Sequence, residues 1–310
     1  MRINLIGVPI YYGCDREGVQ YGPKKLRENN ISDIFREAGL NVIDLGDIQV
    51  DKIKNEDRFK DDKNIKYYSS IYKVNNNLAQ VTYDSVKSGN IPIILGGDHS
   101  IALGSISGVS RNFKNLGVVW VDAHGDFNTE EISESKNYHG MPLASLAGFG
   151  KKNLVDLYYE GKKIKEENIF HIGARDLNIK EEELIRSTKV NLYDKVMIDN
   201  KGFDFVLEDI VKKCIEQKID AIHISLDIDF MDKDLVPGTG TRVEGGYTLE
   251  DTKHILDRIM STNIVKSMDF VEFNPIIDEE NTTLDVCIDL LNHIALLFSL
   301  EKRLSNEVQC

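Results

Sequence analysis

The sequence predicts an α/β fold with a mainly parallel sheet, in one domain spanning residues 1–310, and three observations carry that prediction. Short apolar runs rich in β-branched residues alternate with stretches whose apolar residues recur at helical spacing, the order that gives a parallel sheet with crossover helices. The runs at 91–95 and 116–121 are apolar throughout, as strands covered on both faces are. No linker rich in proline, glycine or serine, no internal repeat and no low-complexity tract divides the chain.

Taken in order, residues 3–8 read as a first strand. Gly22 and Pro23 open a helical stretch, because proline's fixed φ and missing N–H cost little in a first turn; Leu26, Ile31, Ile34 and Phe35 form its apolar side. Residues 41–45 are a second strand, and the polar, charged stretch 46–63 is an exposed loop. Ile65, Tyr68, Ile71, Tyr72, Leu78 and Val81 mark a long amphipathic helix that ends near Gly89, and the strand at 91–95 follows at once. A helix after His99, the strand 116–121, a helix around 143–147 and a strand at 169–172 continue the alternation. Strands at 190–193, 221–226 and 264–271 complete the sheet, with helices at 203–215 and 249–260. Leu284, Cys287, Ile288, Leu291, Ile294, Ala295 and Phe298 stripe a last helix.

Composition narrows the function classes. A formal net charge of −13 argues against nucleic acid or an anionic membrane as partner, since both call for a basic surface. The apolar run after Arg2 is interrupted at Pro9, too early for a signal peptide, and no later stretch reads as long enough to span a membrane, so a cytoplasmic location is expected. The four cysteines, Cys14, Cys214, Cys287 and Cys310, are isolated from one another, which suits reduced thiols.

The chemistry concentrates where predicted strands end. After the strand 116–121, Asp122, His124 and Asp126 stand at alternate positions, so an extended backbone projects them to one side. The run 91–95 leads into Gly96, Gly97, Asp98 and His99, and the run 221–226 into Asp227 and Asp229. Open α/β sheets hold ligands at such carboxyl ends. A lone Asp-x-Asp pair is more often a turn, but acids clustered at three strand ends repel unless a cation compensates them. Four carboxylates and two histidines exceed what one divalent ion needs, so a two-metal centre fits better, with Mn²⁺, Fe²⁺, Co²⁺ or Zn²⁺ favoured over Ca²⁺ or Mg²⁺.

These residues also carry a resemblance. GGDHS at 96–100, DAHGDFNT at 122–129, SLDIDFMD at 225–232 and GTGT at 238–241 resemble the ureohydrolases, and SESKNYHGMP at 133–142 is similar to arginase more than to agmatinase. IGVP at 6–9, GVQYGP at 18–23 and FVEFNP at 270–275 extend the likeness over most of the chain. It implies an arginase-like three-layer α/β/α sandwich and two Mn²⁺ per subunit. One ion would be held by His99, Asp122, Asp126 and Asp227, the other by His124, Asp122, Asp227 and Asp229, with Asp122 and Asp227 bridging. The implied reaction is attack of a metal-bridging hydroxide on the guanidinium carbon of L-arginine, giving L-ornithine and urea. Metal binding lowers a water's pKa toward roughly 7, which supplies the strong nucleophile that a resonance-stabilised guanidinium demands.

By the same resemblance, Asp126 passes a proton to the departing nitrogen, His139 shuttles protons at the cleft mouth and Glu272 grips the guanidinium. Asn128, Ser135 and Asn137 are the implied contacts of the α-carboxylate, Asn178 and Glu181 lie toward the α-amino group, and Thr241 completes the substrate-binding set. A homotrimer or homohexamer is also implied. The alternatives are another ureohydrolase, acting on agmatine, guanidinobutyrate or formimidoylglutamate, or a metal-binding relative without catalysis. Four departures from the family pattern bear on these expectations: Asn178 for an aspartate, Phe230 for a glycine, Arg242 for a proline, and Glu250-Asp251 for an Arg-Glu pair used between subunits. Phe230 and Arg242 are expected to alter the cleft wall. His171, His223, His254 and His293 fall outside every motif and read as structural or surface residues.

Overall fold

The computed structural model describes the backbone of residues 2–307. Its strands are β1 (Arg2–Val8), β2 (Asn41–Asp47), β3 (Ile91–Gly96), β4 (Leu116–Val121), β5 (Ile169–Ile172), β6 (Asn191–Tyr193), β7 (Ala221–Asp227) and β8 (Val265–Val271). They form one eight-stranded sheet in the order β2-β1-β3-β8-β7-β4-β5-β6, and every pair is parallel. β3, β4 and β7 are buried along their whole length, which is why their sequences lack the polar alternation of a one-sided sheet.

The helices are α1 (Gly22–Glu28), α2 (Ile31–Glu37), α3 (Tyr68–Lys87), α4 (Ala102–Ser110), α5 (Pro142–Ala147), α6 (Lys152–Val155), α7 (Ile179–Arg186), α8 (Lys195–Glu216), α9 (Leu249–Met260) and α10 (Thr282–Glu307). They split between the faces of the sheet. Leu26 of α1, Phe35 of α2, Ile210 of α8, Ile255 of α9 and Leu291 of α10 join one apolar cluster with Leu95, Val119 and Ile224. Leu78 of α3, Ile106 of α4, Leu143 of α5, Leu154 of α6 and Ile185 of α7 join another with Ile94, Val118 and Trp120. The result is the expected three-layer α/β/α sandwich.

Three differences from the sequence reading have local causes. α7 was not expected: it is eight residues long, mostly charged, and starts because the Asn178 side chain accepts the N–H of Glu181. α8 begins at Lys195, eight residues before the predicted start at 203, and crosses a non-helical Gly202 at φ 80° that hides its first half from the periodicity. The third concerns α10, which is long and apolar enough to cross a membrane by length and composition, contrary to the expectation that no stretch would be. Leu290, Leu291, Ile294 and Phe298 are buried in the core, so it packs as a core helix. Among the described residues Cys14, Cys214 and Cys287 are unpaired, and Cys310 lies outside those residues.

Candidate active site

The four central strands, β3, β8, β7 and β4, are neighbours, and their carboxyl ends converge on one floor. Beyond β3 the chain turns at Gly97, where a Cβ would overlap the carbonyl of Ile10, so only glycine fits. Asp98 then caps a short helical turn, accepting from Ser100 N at 3.0 Å and from Gly13 N at 2.8 Å. That turn sets His99, whose own N–H donates to Glu272 Oε1 at 2.8 Å, beyond β8. After β4, Asp122 accepts from the indole of Trp120 at 3.0 Å and from the N–H of His124 at 2.7 Å. At the end of β7, Asp227 accepts from Asp229 N at 2.8 Å.

The side chains meet at short range. His99 Nδ1 lies 3.0 Å from Asp122 Oδ2, 3.1 Å from Asp126 Oδ2 and 3.2 Å from Asp227 Oδ2. His124 Nδ1 lies 3.0 Å from Asp229 Oδ2 and 3.5 Å from Asp122 Oδ1. Two overlapping groups result, His99–Asp122–Asp227 and Asp122–His124–Asp229, each with ligand atoms within 4.8 Å of one another. Asp122 belongs to both, and Asp227 to the first alone. Asp126 is reached by a turn: the strand-like alternation stops there, at φ 49°, and its Oδ2 points back at His99.

This donor set fits metal ions. Among the described residues, His99 Nδ1 and Asp126 Oδ2 are buried 3.1 Å apart with no well-aligned hydrogen bond, a placement that a cation would satisfy better. Burial and the charge of Asp122 push the Asp126 carboxyl up to about 6. Burial and the charges of Asp229 and Asp122 hold Asp227 well above the carboxylate range. Cations at the two groups would relieve that crowding. The ring of His99 is fixed from behind by Ser225 Oγ at 2.8 Å from Nε2 and by stacking on Trp120 at 4.2 Å.

Above the floor is a cavity of about 100 Å³ lined by His124, Asp126, Asn128, His139, Gly140, Asp176, Glu181, Asp227 and Thr241. His139 Nδ1 sits 3.2 Å from Glu272 Oε1. Burial pulls that imidazole down, but the hydrogen bond and charge of Glu272, with Asp126 and Asp98, outweigh it and leave the pKa raised. Glu272 is itself buried and spends one oxygen on His99 and His139, so it braces the shuttle candidate from outside the cavity lining. Thr241 donates to Asp229 Oδ2 at 3.1 Å.

The remaining substrate-binding candidates lie around the rim. Asn128 lines the cavity, whereas Ser135 and Asn137 stand back from its lining, with Ser135 Oγ accepting the N–H of Asn137 at 3.2 Å. Glu181 accepts from Phe127 N at 2.9 Å, and burial pushes its carboxyl up to about 7. Asn178 uses its carbonyl oxygen to cap α7 and its amide to donate to Asn128 Oδ1 at 2.8 Å. The acceptor expected for an α-ammonium is therefore already engaged within the protein.

Sequence reasoning missed Asp176, which lines the cavity with its carboxylate 3.8 Å from His124 Nε2; its position after β5, the strand beside β4, was the available signal. Phe230, expected in the cleft wall, is fully buried instead. It stacks on Tyr247 at 4.7 Å and fills the space where a Cβ on Gly173 would sit. Arg242 is exposed on its loop. His223 is held by Ser267 and Asp269 in the core, and His254 and His293 pair with surface aspartates.

Comparison with known proteins agrees with this geometry. The profile of the Arginase family matches residues 1–297. The arginase of Staphylococcus aureus (strain COL) is 38% identical over 289 residues, covering 93% of this chain and 95% of that protein. That of Brevibacillus brevis is 39% identical over 292 residues, covering 94% and 97%. The solved arginase of Bacillus caldovelox superposes with a TM-score of 0.88 at 36% identity, covering 96% of this chain and 97% of the other. Profile, relatives and fold agree over nearly the whole length, and the chain belongs to the arginase family.

Proposed function

We propose that this protein is an arginase, hydrolysing L-arginine to L-ornithine and urea with two Mn²⁺ ions per subunit. The observation that carries the reading is the pair of histidine–aspartate groups sharing Asp122, in a chain whose relatives are arginases along their whole length. His99, Asp122, Asp126 and Asp227 would hold one ion, and His124, Asp122, Asp227 and Asp229 the other. Two such ions would lower the pKa of bound water toward roughly 7 and so supply a nucleophile at neutral pH.

The chain's own residues do the rest. The acidic floor draws a guanidinium in, and Glu272 is the acid that would grip it. Asp126 takes up a proton on its carboxylate and hands it to the departing nitrogen, which leaves only as a protonated amine. His139, braced by Glu272 at the mouth, exchanges that proton with solvent. At the rim, Asn128, Ser135 and Asn137 meet the α-carboxylate, while Glu181, with Asn178 beside it, faces the α-ammonium; Thr241 steadies Asp229. The reading includes one catalytic domain in the cytoplasm and a homotrimer or homohexamer. Asp251 spends its side chain on the capping box of α9, so a subunit contact there would fall to the exposed Glu250.

The test is urea release from a panel of guanidino compounds with Mn²⁺ present. L-Arginine is expected to be the best substrate. Preference for agmatine, guanidinobutyrate or formimidoylglutamate would move the protein to another ureohydrolase activity, and no turnover of any compound by metal-loaded protein would make it a non-catalytic relative.

A further inference from the structure

We propose that Lys66 is a positioning residue that fixes the amide of Asn137 with its oxygen engaged and one donor left for a ligand, so that the rim selects substrates carrying a carboxylate. The inference rests on the reading that Asn137 meets the α-carboxylate. Lys66 precedes α3, 71 residues from Asn137 in sequence, and its ammonium donates to Asn137 Oδ1 at 2.8 Å. On its other side, Asn137 Nδ2 donates to the carbonyl of Cys14 at 3.0 Å. An ammonium can only donate and a carbonyl only accept, so the two contacts force the orientation of the amide. The oxygen and one N–H are thereby spent inside the protein, and the second N–H of Nδ2 is the donor left for a ligand.

Asn128 is set the same way. The backbone N–H of Glu181 can only donate, so the atom of Asn178 facing it is the oxygen. The other end of Asn178 is then its NH₂, and the atom of Asn128 that receives it, at 2.8 Å, is Oδ1. Two rim amides thus have their acceptors satisfied from behind. An outward amide oxygen would repel a carboxylate and welcome an ammonium; an outward NH₂ does the reverse.

Lys66 adds charge to this orientation. Asp15 Oδ2 lies 2.8 Å from Lys66 Nζ and 3.6 Å from Arg58, so one carboxylate faces two cations at the rim of an otherwise acidic cleft. The Lys66 side chain is only 16% exposed, which limits solvent screening. An acidic floor and a basic patch at the rim orient a substrate that is cationic at one end and anionic at the other.

The test is the kinetics of Lys66→Met, which keeps length and loses the charge, in metal-loaded protein. We expect KM for L-arginine to rise about tenfold with kcat within about twofold, metal content unchanged, and Lys66→Arg recovering most of the loss. L-Argininamide, whose carboxylate is capped as a neutral amide, is measured as a competitor of L-arginine, and its inhibition constant should move less than about threefold. Lys66→Gln should shift KM in the same direction and decides the matter if the methionine variant is unstable. Unchanged KM, equal weakening of L-arginine and L-argininamide, or joint loss of kcat, metal and Tm in both variants would overturn the proposal. The arginase reading is judged separately, by urea release from wild-type protein.

Discussion

The floor of the cleft and its rim are held in place by different forces. Floor residues follow on the ends of four adjacent strands, are buried apart from the partly exposed His124, and are aimed by backbone N–H groups and by Trp120. Rim residues sit on loops and are aimed by other side chains: Lys66 on Asn137, Asn178 on Asn128, Glu272 on His139. A parallel sheet fixes the geometry of what emerges from its strand ends, so the floor has little freedom to vary. The rim depends on single side-chain contacts, and a change such as Asn178 for aspartate can be accommodated without disturbing the layers beneath.

The sharpest way to break this contrast is to remove the aspartate common to both groups. Asp122→Ala should lose both ions and reduce turnover by about 10⁴-fold or more, because each group is left with an orphaned histidine and fewer carboxylates. Metal analysis of the purified variant checks it. Retention of two ions would show that the two groups do not share a ligand.

His139→Ala probes the boundary between floor and rim. The imidazole lines the cavity yet lies outside both histidine–aspartate groups, so metal content should be untouched. Loss of a proton relay typically costs about 10²-fold to 10⁴-fold in kcat. Unchanged kcat across the whole pH profile would reduce His139 to a bystander.

Legibility in the sequence follows the same division. The alternation of Asp122, His124 and Asp126 after a wholly apolar run signalled the floor, because strand periodicity is local. It could not signal the left-handed turn at Asp126 that completes the floor. Lys66 gave no signal, since its role exists only through a contact 71 residues away. Phe230, read into the cleft wall because it replaces the family's glycine after Asp229, lies in the core against Gly173. α7, short and charged, has no apolar period to find, and with it went the capping role of Asn178.

Glu181 gives the rim a pH dependence. Its carboxyl is pushed up to about 7, mainly by burial, with the N–H of Phe127 pulling the other way. Below about 7 the group is neutral and cannot attract an α-ammonium; above it the carboxylate is charged. KM for L-arginine should therefore fall as the pH rises through about 7, by a fewfold, and Glu181→Gln should flatten that profile. A pH-dependent KM that survives the substitution would assign the titration to another group.

The smallest expected effect is also the most specific to this chain. Asn178→Asp keeps the cap on α7, since a carboxylate accepts the N–H of Glu181 as well as an amide does. It removes the amide that donates to Asn128 Oδ1, a neutral hydrogen bond worth about 1 kcal/mol. Against that loss it brings a charge close to where the α-ammonium is proposed to sit, and a charge-assisted hydrogen bond is worth about 1.5–3 kcal/mol. The balance favours the charge by about 1 kcal/mol, or severalfold in affinity. We expect kcat/KM for L-arginine to rise about two- to fivefold, and to rise less for agmatine, which lacks the carboxylate that would hold the α-ammonium in register with the new group. A fall for L-arginine would mean that orienting Asn128 matters more than meeting the ammonium, and would place Asn178 with Lys66 among the residues that act from behind the rim.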